Sequence, residues 1–303
     1  MESIANYNSP KEIGRFLKAN GMAPTRRFGQ NFLISQAVRE KIVGLLELEG
    51  GETIWEIGPG LGAMTSHLVN NGGRLVLFEI DRRFVDYLRQ AFGSEDSAAT
   101  DRQGARRDTG VEIIAGDVLK TWKTVFEEQG MADRIIGNLP YNSAAAIIAS
   151  IIEHGDLPPI MVYTVQKEVG ERMTAEPGSR DYSAFTVLCR FACRVEDCGN
   201  VSAGCFYPQP HVTSKIVRMV PRGDLDYSLL PMVSSFTRRV FASRRKTIRN
   251  NLSGSMWAEK LGLDRLLELL QASGIDPEAR GESLSVERIT GFVENFSRNN
   301  PGV

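Results

Sequence analysis

Short, nearly continuous apolar runs alternate with longer amphipathic segments through the first two-thirds of the chain. The runs are Ile54–Ile57, Leu75–Ile80, Val111–Ala115, Arg134–Gly137 and Ile160–Val165, with two more near Arg194–Val201 and Lys215–Val220. Runs of this length without polar alternation predict strands buried on both faces, as in a parallel sheet covered by helices. Ser9-Pro10-Lys11-Glu12 forms a capping box with proline at the first helical position, and Ile13, Phe16 and Leu17 share one face up to Asn20-Gly21. A second helix starts at Ser35 and runs through Leu48, and others are predicted after Leu61 and over Ala144–Ile152, Lys167–Ala175 and Ser183–Phe191. Beyond Pro221-Arg222-Gly223-Asp224 the period becomes helical throughout, over Leu229–Ala242, Arg244–Leu252, Asp264–Ala272 and Val286–Ser297. The pattern predicts an α/β domain over residues 1–222 and a small helical domain over 223–303. Gly93 to Gly110 is polar and turn-rich with no apolar period, which predicts an exposed insertion.

Composition narrows the classes. At 303 residues, 42% hydrophobic and 24% charged, the chain matches an ordinary globular protein with one large core and room for a second, smaller one. No apolar run approaches the roughly 20 residues that span a bilayer. The start, MESIANYNSP, has neither a cationic segment nor an apolar stretch of signal-peptide type. Cys189, Cys193, Cys198 and Cys205 follow no zinc spacing, and the three histidines are scattered. The expectation is reduced thiols, no metal, no membrane, and a cytoplasmic location.

Candidate chemistry gathers where the strands end. Gly58-Pro59-Gly60-Leu61-Gly62 follows the first strand, and turns of this kind bring backbone close to a ligand at a helix start. The spacing is G-x-G-x-G, not the G-x-G-x-x-G of dinucleotide folds, which favours a nucleoside without phosphates, such as S-adenosyl-L-methionine, over NAD. Glu79 closes the second strand about twenty residues after the first glycine, where an acid reaches ribose hydroxyls. Asp117 closes the third strand and either accepts from an adenine amine or caps the next turn. The fourth strand delivers Asn138-Leu139-Pro140-Tyr141. Asn138 both donates and accepts, Pro140 holds Leu139 extended, and Tyr141 offers a flat ring. Such a loop suits a planar ring bearing an amino group, although an isolated Asn-x-Pro-Tyr also serves merely to end a strand. Two further loops stay open: PTRRFGQNFL at 24–33 is a lid over a site or a connector, and FYPQPHVTS at 206–214 either presents Phe206 rigidly or packs it inward.

Net charge is −1, so any nucleic-acid footprint must be local. Tyr227 to Ala258 contains no acid and carries Arg238, Arg239, Arg244, Arg245, Lys246 and Arg249, which makes it the candidate phosphate-contact stretch.

On FGQNFL at 28–33, EIGPGLG at 56–62, FEID at 78–81, GD at 116–117, NLPYN at 138–142, FYPQPHVTS at 206–214 and FASRRKTIRNNL at 241–252, the chain resembles the ribosomal RNA adenine dimethyltransferases, most closely the KsgA-type small-subunit branch. The likeness spans roughly residues 24 to 298. It implies a Rossmann-like S-adenosylmethionine-dependent methyltransferase sheet with a C-terminal helical domain. It further implies cofactor contacts from Asn31, Leu33, Gly58, Gly60, Glu79, Asp117 and Asn138. The target amine would be held by the loop of Asn138, Leu139 and Pro140, with the adenine between Tyr141 and Phe206. The implied substrate is a pair of adjacent adenosines in a hairpin near the 3′ end of small-subunit ribosomal RNA, dimethylated on N6 late in subunit assembly; a monomer is the expectation, with the oligomeric state left open by the sequence. The chain departs from that pattern in its longer 93–110 insertion, in Ser183 after Tyr182, and in Ile248.

Overall fold

The computed structural model describes residues 6–25, 28–93, 98–100, 106–108, 110–223 and 225–299. Seven strands form the main sheet: β1 (Ile54–Ile57), β2 (Leu75–Glu79), β3 (Val111–Ala115), β4 (Arg134–Asn138), β5 (Ile160–Gln166), β6 (Cys193–Val201) and β7 (Ser214–Pro221), in the order β3-β2-β1-β4-β5-β7-β6. Every residue of β1 and β2 is buried, as expected for strands covered on both faces. The pairings β3·β2, β2·β1, β1·β4 and β4·β5 are parallel. The sheet is nevertheless mixed, because β7 runs antiparallel to β5, with Ser214 opposite Gln166. That reversal places the start of β7 beside the carboxyl end of β5.

Order reverses between β1 and β4, so the loops leaving these neighbours diverge and open a crevice. Their register pairs Ile57 with Gly137, which sets the glycine turn directly beside Asn138.

The helix α1 (Pro10–Ala19) begins as its capping box predicts, with the Ser9 hydroxyl accepting the Glu12 amide at 3.3 Å and Ile13, Phe16 and Leu17 buried. After α2 (Gln36–Gly44), the helix expected beyond Leu61 is reduced to α3 (Thr65–Leu68), since residues 60–64 stay in turns. Next come α4 (Arg82–Phe92), α5 (Val118–Gln129), α6 (Ala144–His154), α7 (Lys167–Thr174) and α8 (Ala184–Ala192). Within the expected insertion, Ala98–Thr100 pairs antiparallel with Arg106–Asp108, and the remaining positions from 94 to 109 lie outside the described residues. The segment Phe32–Leu33 pairs antiparallel with Phe206–Tyr207.

Contacts divide the chain into two units. The first comprises the residues up to Ile147, Pro158–Gly170 and Glu196–Val220; the second comprises Ile148–Leu157, Glu171–Val195 and Pro221 onward. The sequence pattern places residues 148–157 and 171–195 with the sheet. They group instead with α9 (Leu230–Val240), α10 (Ile248–Leu252), α11 (Met256–Leu261), α12 (Leu263–Ala272) and α13 (Val286–Asn299). The reason is apolar surface: α8 buries Val187, Leu188, Cys189 and Phe191, and α9 buries Leu230, Val233, Phe236 and Val240. Phe236, Trp257, Phe292 and Phe296 form an aromatic cluster, with Phe236 and Phe292 ring centroids 4.7 Å apart. The buried Tyr182 hydroxyl donates to the Leu284 carbonyl at 2.7 Å and ties 171–195 to the end of the chain.

Candidate functional site

One cavity in the first unit is lined by residues from the ends of β1, β2, β3 and β4 together with Phe28–Leu33. Asn31, Leu33, Gly58, Gly60, Glu79, Asp117, Asn138, Leu139, Pro140 and Tyr141 all line it. The strands deliver these groups because each turns at its carboxyl end on the same side of the sheet.

Gly58 has φ +72°, and a Cβ there would lie 3.5 Å from the Asn138 carbonyl oxygen. Gly60 has φ +55°, and its Cβ would meet the Phe32 ring at 3.0 Å. Glycine is required at both for conformation, and at Gly60 for close approach as well. The Gly60 amide donates to Glu79 Oε2 at 3.0 Å, and the Asp81 amide to Oε1 at 2.9 Å. Glu79 is only 3% exposed, and burial pushes its carboxyl up to about 7. Glu56 is buried nearby and likewise pushed up to about 7 by burial, with the Thr65 hydroxyl donating to its Oε2 at 2.7 Å.

Asn138 Nδ2 donates to the Asn31 carbonyl at 2.8 Å, which fixes the amide and leaves its oxygen as an acceptor. The Leu139 amide donates to the Thr164 carbonyl at 3.0 Å, locking the loop to β5. The Pro140 carbonyl is already engaged by the Ser143 and Ala144 amides that begin α6, at 3.1 and 2.9 Å. Of the two carbonyls that could serve as a second acceptor, Leu139 is therefore the one available. Tyr141 is half-buried, with its hydroxyl 2.7 Å from Ser214 Oγ, so its ring is held at both ends. Asp117 caps α5, its Oδ1 accepting the Leu119 amide at 3.0 Å, and it also lines the cavity, so capping and a place at the cavity occur together. Among the described residues, no group of His, Cys, Asp and Glu is arranged to hold a metal ion, and no helix is long and apolar enough to cross a membrane.

The family model for ribosomal RNA adenine dimethylases matches residues 23–295. The chain belongs to the ribosomal RNA adenine dimethylase family. Among its dimethylase relatives, the ribosomal RNA small subunit methyltransferase A of Treponema pallidum (strain Nichols) is 40% identical over 285 residues, covering 93% of this chain and 94% of the relative. That of Borreliella burgdorferi (strain ZS7) is 37% identical over 247 residues, covering 82% of each. A dimethyladenosine transferase structure from Plasmodium falciparum shares the fold, with a TM-score of 0.69 at 23% identity over 87% of this chain and 96% of that one. The 23S rRNA methyltransferase ErmE shares it with a TM-score of 0.59 at 22% identity, over 87% and 98%. The dimethylase fold here is the Rossmann-like methyltransferase sheet followed by a C-terminal helical region.

One predicted site residue of this dimethylase lies elsewhere. Phe206 is 3% exposed, pairs through its backbone with Leu33, and packs in the core with Phe16, Phe32 and Leu33. It does not line the cavity, so the expected sandwich of Tyr141 and Phe206 is not formed, and the inward-packing alternative is the one realised. The cause is the pairing of 206–207 with 32–33, which turns the side chain toward the core.

The basic stretch also changes in space. Arg238 pairs with Glu153, Arg249 with Glu278 at 3.5 Å, and Arg244 with Glu282 at 2.7 Å and with the carbonyls of Ser179 and Arg180. Arg239 donates to the Ser253 carbonyl at 3.0 Å. Acids absent from residues 227–258 arrive from other parts of the second unit. Among the described residues, Arg245 and Lys246 are exposed and have no such partner. They sit in a turn, because α10 starts only at Ile248 behind the N-cap Thr247, and not at Arg244 as expected. Gln30, which lines the cavity, is joined to Asp81 by a hydrogen bond of 3.4 Å; neither was given a role from the sequence, although they fall within the motifs FGQNFL and FEID.

Proposed function

We propose that the protein is an S-adenosylmethionine-dependent RNA adenine N6-dimethyltransferase, acting on two adjacent adenosines near the 3′ end of small-subunit ribosomal RNA during subunit assembly. The observation that carries the reading is the Asn138 amide, pinned through its nitrogen by Asn31 and adjoining the glycine turn with its oxygen left to accept. The small-subunit substrate is favoured by the relatives that match most of the chain, which are named small subunit methyltransferases.

The cavity suits S-adenosylmethionine. The buried carboxylate of Glu79 lines the cavity where it would accept from ribose hydroxyls, Gly58 and Gly60 let the backbone of the turn come close, and Phe28, Phe32 and Leu33 supply apolar wall. Asn31, Leu33, Gly58, Gly60, Glu79, Asp117 and Asn138 would hold it. When bound, it supplies an electrophilic methyl group on a sulfonium.

The chain's own task is to present an adenine amine, a poor nucleophile because its lone pair is delocalised into the ring. Hydrogen bonds from the two N–H groups to Asn138 Oδ1 and the Leu139 carbonyl favour a pyramidal nitrogen. Tyr141, fixed through Ser214, offers a stacking face that offsets part of the cost of taking the base out of its helix. The lining carboxylates among the described residues, Glu79 and Asp117, are held by backbone amides at the ends of other strands, so no acid serves as base at Asn138. The proton leaves to solvent after transfer. Once one methyl is on the nitrogen a donor is gone, and positioning shifts to the stacked ring.

Cofactor binding should depend on pH through Glu79. Ribose hydroxyls donate to the ionised carboxylate, and its charge attracts the cationic ligand, so binding favours the deprotonated form. Affinity should be constant above about 7 and fall roughly tenfold per pH unit below it, until the bound-state pKa is reached. Titration calorimetry with S-adenosylmethionine from pH 5.5 to 8.5 checks this; Glu79→Gln should bind weakly with a flat profile, and a flat wild-type profile would contradict the role.

The functional reading is tested by incubating the protein and labelled S-adenosylmethionine with unmodified small and large subunits separately. Label should appear only in adenines of the small subunit. Arg245→Glu with Lys246→Glu should weaken subunit binding and reduce its salt slope by about 2, one for each phosphate no longer neutralised. Label in the large subunit would reassign the substrate.

A further inference from the structure

We propose that Asp81 is a positioning residue that fastens the cavity-lining residues Phe28–Asn31 to the end of β2, with Arg83 as its brace. The proposal rests on the reading of the cavity as a cofactor site, since it concerns how that site is kept in shape.

Asp81 does not line the cavity; it acts through residues that do. Its amide donates to Glu79 Oε1 at 2.9 Å, on the carboxylate read as the ribose acceptor. Its own carboxylate, in a residue only 5% exposed, reaches the other wall: Oδ2 accepts Gln30 Nε2 at 3.4 Å. Gln30 Oε1 accepts the Thr25 amide at 2.8 Å, so one side chain joins Asp81 to the start of the PTRRFGQNFL stretch at 24–33. Arg83 closes the network. Its Nε donates to Asp81 Oδ1 at 3.0 Å, and its Nη2 donates to Asp81 Oδ2 at 2.6 Å, to Thr25 Oγ1 at 2.9 Å and to the Ala23 carbonyl at 3.4 Å. Burial pushes the Asp81 carboxyl up, but the hydrogen bonds and charge of Arg83, with Gln30, outweigh it and hold the carboxyl below the usual range, so the tether stays charged at neutral pH.

Asp81 also caps α4 through Oδ1, accepting the Arg83 amide at 3.1 Å. A cap needs only one oxygen; here the second is spent on residues some fifty positions upstream in the chain. Asparagine caps helices as well as aspartate, but its NH2 accepts neither from Gln30 nor from a guanidinium. Asp81→Asn therefore separates the two roles. The same residue thus touches both the ribose acceptor and the facing wall, so cofactor binding at Glu79 and the order of Phe28–Asn31 are linked.

Purified wild type, Asp81→Asn and Gln30→Ala should be compared for S-adenosylhomocysteine affinity by calorimetry, for Tm, for hydrogen exchange of the peptide covering Phe28–Leu33, and for steady-state kinetics. Asp81→Asn should lower Tm only slightly, since the cap is kept, while raising Kd and the cofactor KM about tenfold, with kcat at saturating cofactor within about twofold. Exchange of the Phe28–Leu33 amides should rise in the free variant and return to the wild-type level with saturating ligand. Adding Gln30→Ala to Asp81→Asn should weaken binding less than the product of the two single effects, because both break one tether. Unchanged Kd and exchange in Asp81→Asn, or multiplicative effects in the double variant, would overturn the proposal. A wild type that does not bind S-adenosylhomocysteine would instead overturn the cofactor reading, while the exchange comparison of the free proteins still decides the tether.

Discussion

Replacing Asn138 by alanine should lower single-turnover methyl transfer by at least about 10²–10³, the scale seen when one preorganised polar group aimed at the reacting centre is removed. The side chain has two jobs. Its nitrogen donates to the Asn31 carbonyl at 2.8 Å, which orients the amide; its oxygen then accepts from the target amine. Truncation removes both, and the Leu139 carbonyl alone cannot align the nitrogen. Cofactor affinity should fall by less than about tenfold, the worth of one hydrogen bond, because Glu79 and the glycine turn remain. Asn138→Asp sharpens the test. It keeps an acceptor oxygen, but with nothing to donate to Asn31 it sets oxygen against oxygen, so it should also lose most turnover. Quenched-flow transfer from labelled S-adenosylmethionine to unmodified small subunits, alongside calorimetry, measures both quantities. Either variant turning over at the wild-type rate would remove Asn138 from the chemistry.

The strands and their site loops were legible because each carries its own signal. β1 and β2 are buried along their whole length, and Gly58, Gly60, Glu79, Asp117 and Asn138 follow directly at their strand ends. Parallel order then converges these loops without further information. What failed was whatever depended on partners distant in sequence. Arg238, Arg244 and Arg249 read as a one-signed surface because Glu153, Glu282 and Glu278 lie outside the stretch. The helix expected from Arg244 begins at Ile248 because Thr247 accepts the Asn250 amide at 3.3 Å, an N-cap in sequence that periodicity alone overrode. Residues 171–195 group with the second unit, where α8 and α9 bury their apolar faces. Phe206 belongs to the same class, since only its pairing with a strand some 170 residues earlier decides where its ring goes.

That placement of Phe206 separates stability from catalysis. Phe206→Ala should destabilise the first unit by about 3–5 kcal/mol, the cost of deleting a buried phenyl ring and leaving a cavity. Against a typical total of roughly 5–15 kcal/mol, this is a large share, and soluble yield should drop with it. The vacated space borders Phe32 and Leu33, so that strand, which adjoins Asn31 and carries the Leu33 wall, would loosen as well. Loss of activity in the alanine variant therefore says nothing about stacking, and a second substitution is needed. Phe206→Leu retains most of the buried volume and should cost roughly 1–2 kcal/mol. It has no aromatic face. A core role predicts that Phe206→Leu keeps near wild-type kcat and RNA affinity while its urea midpoint falls slightly. A stacking role predicts the reverse, a normal midpoint with activity reduced by the roughly 1–3 kcal/mol that base stacking on an aromatic contributes. Tyr141→Leu is the internal control, because Tyr141 does line the cavity and should show the catalytic loss that Phe206→Leu lacks. If the two leucine variants instead behaved alike, with activity lost and stability kept, the buried ring would have to leave the core in the working enzyme, and the pairing of 32–33 with 206–207 would have to open with it.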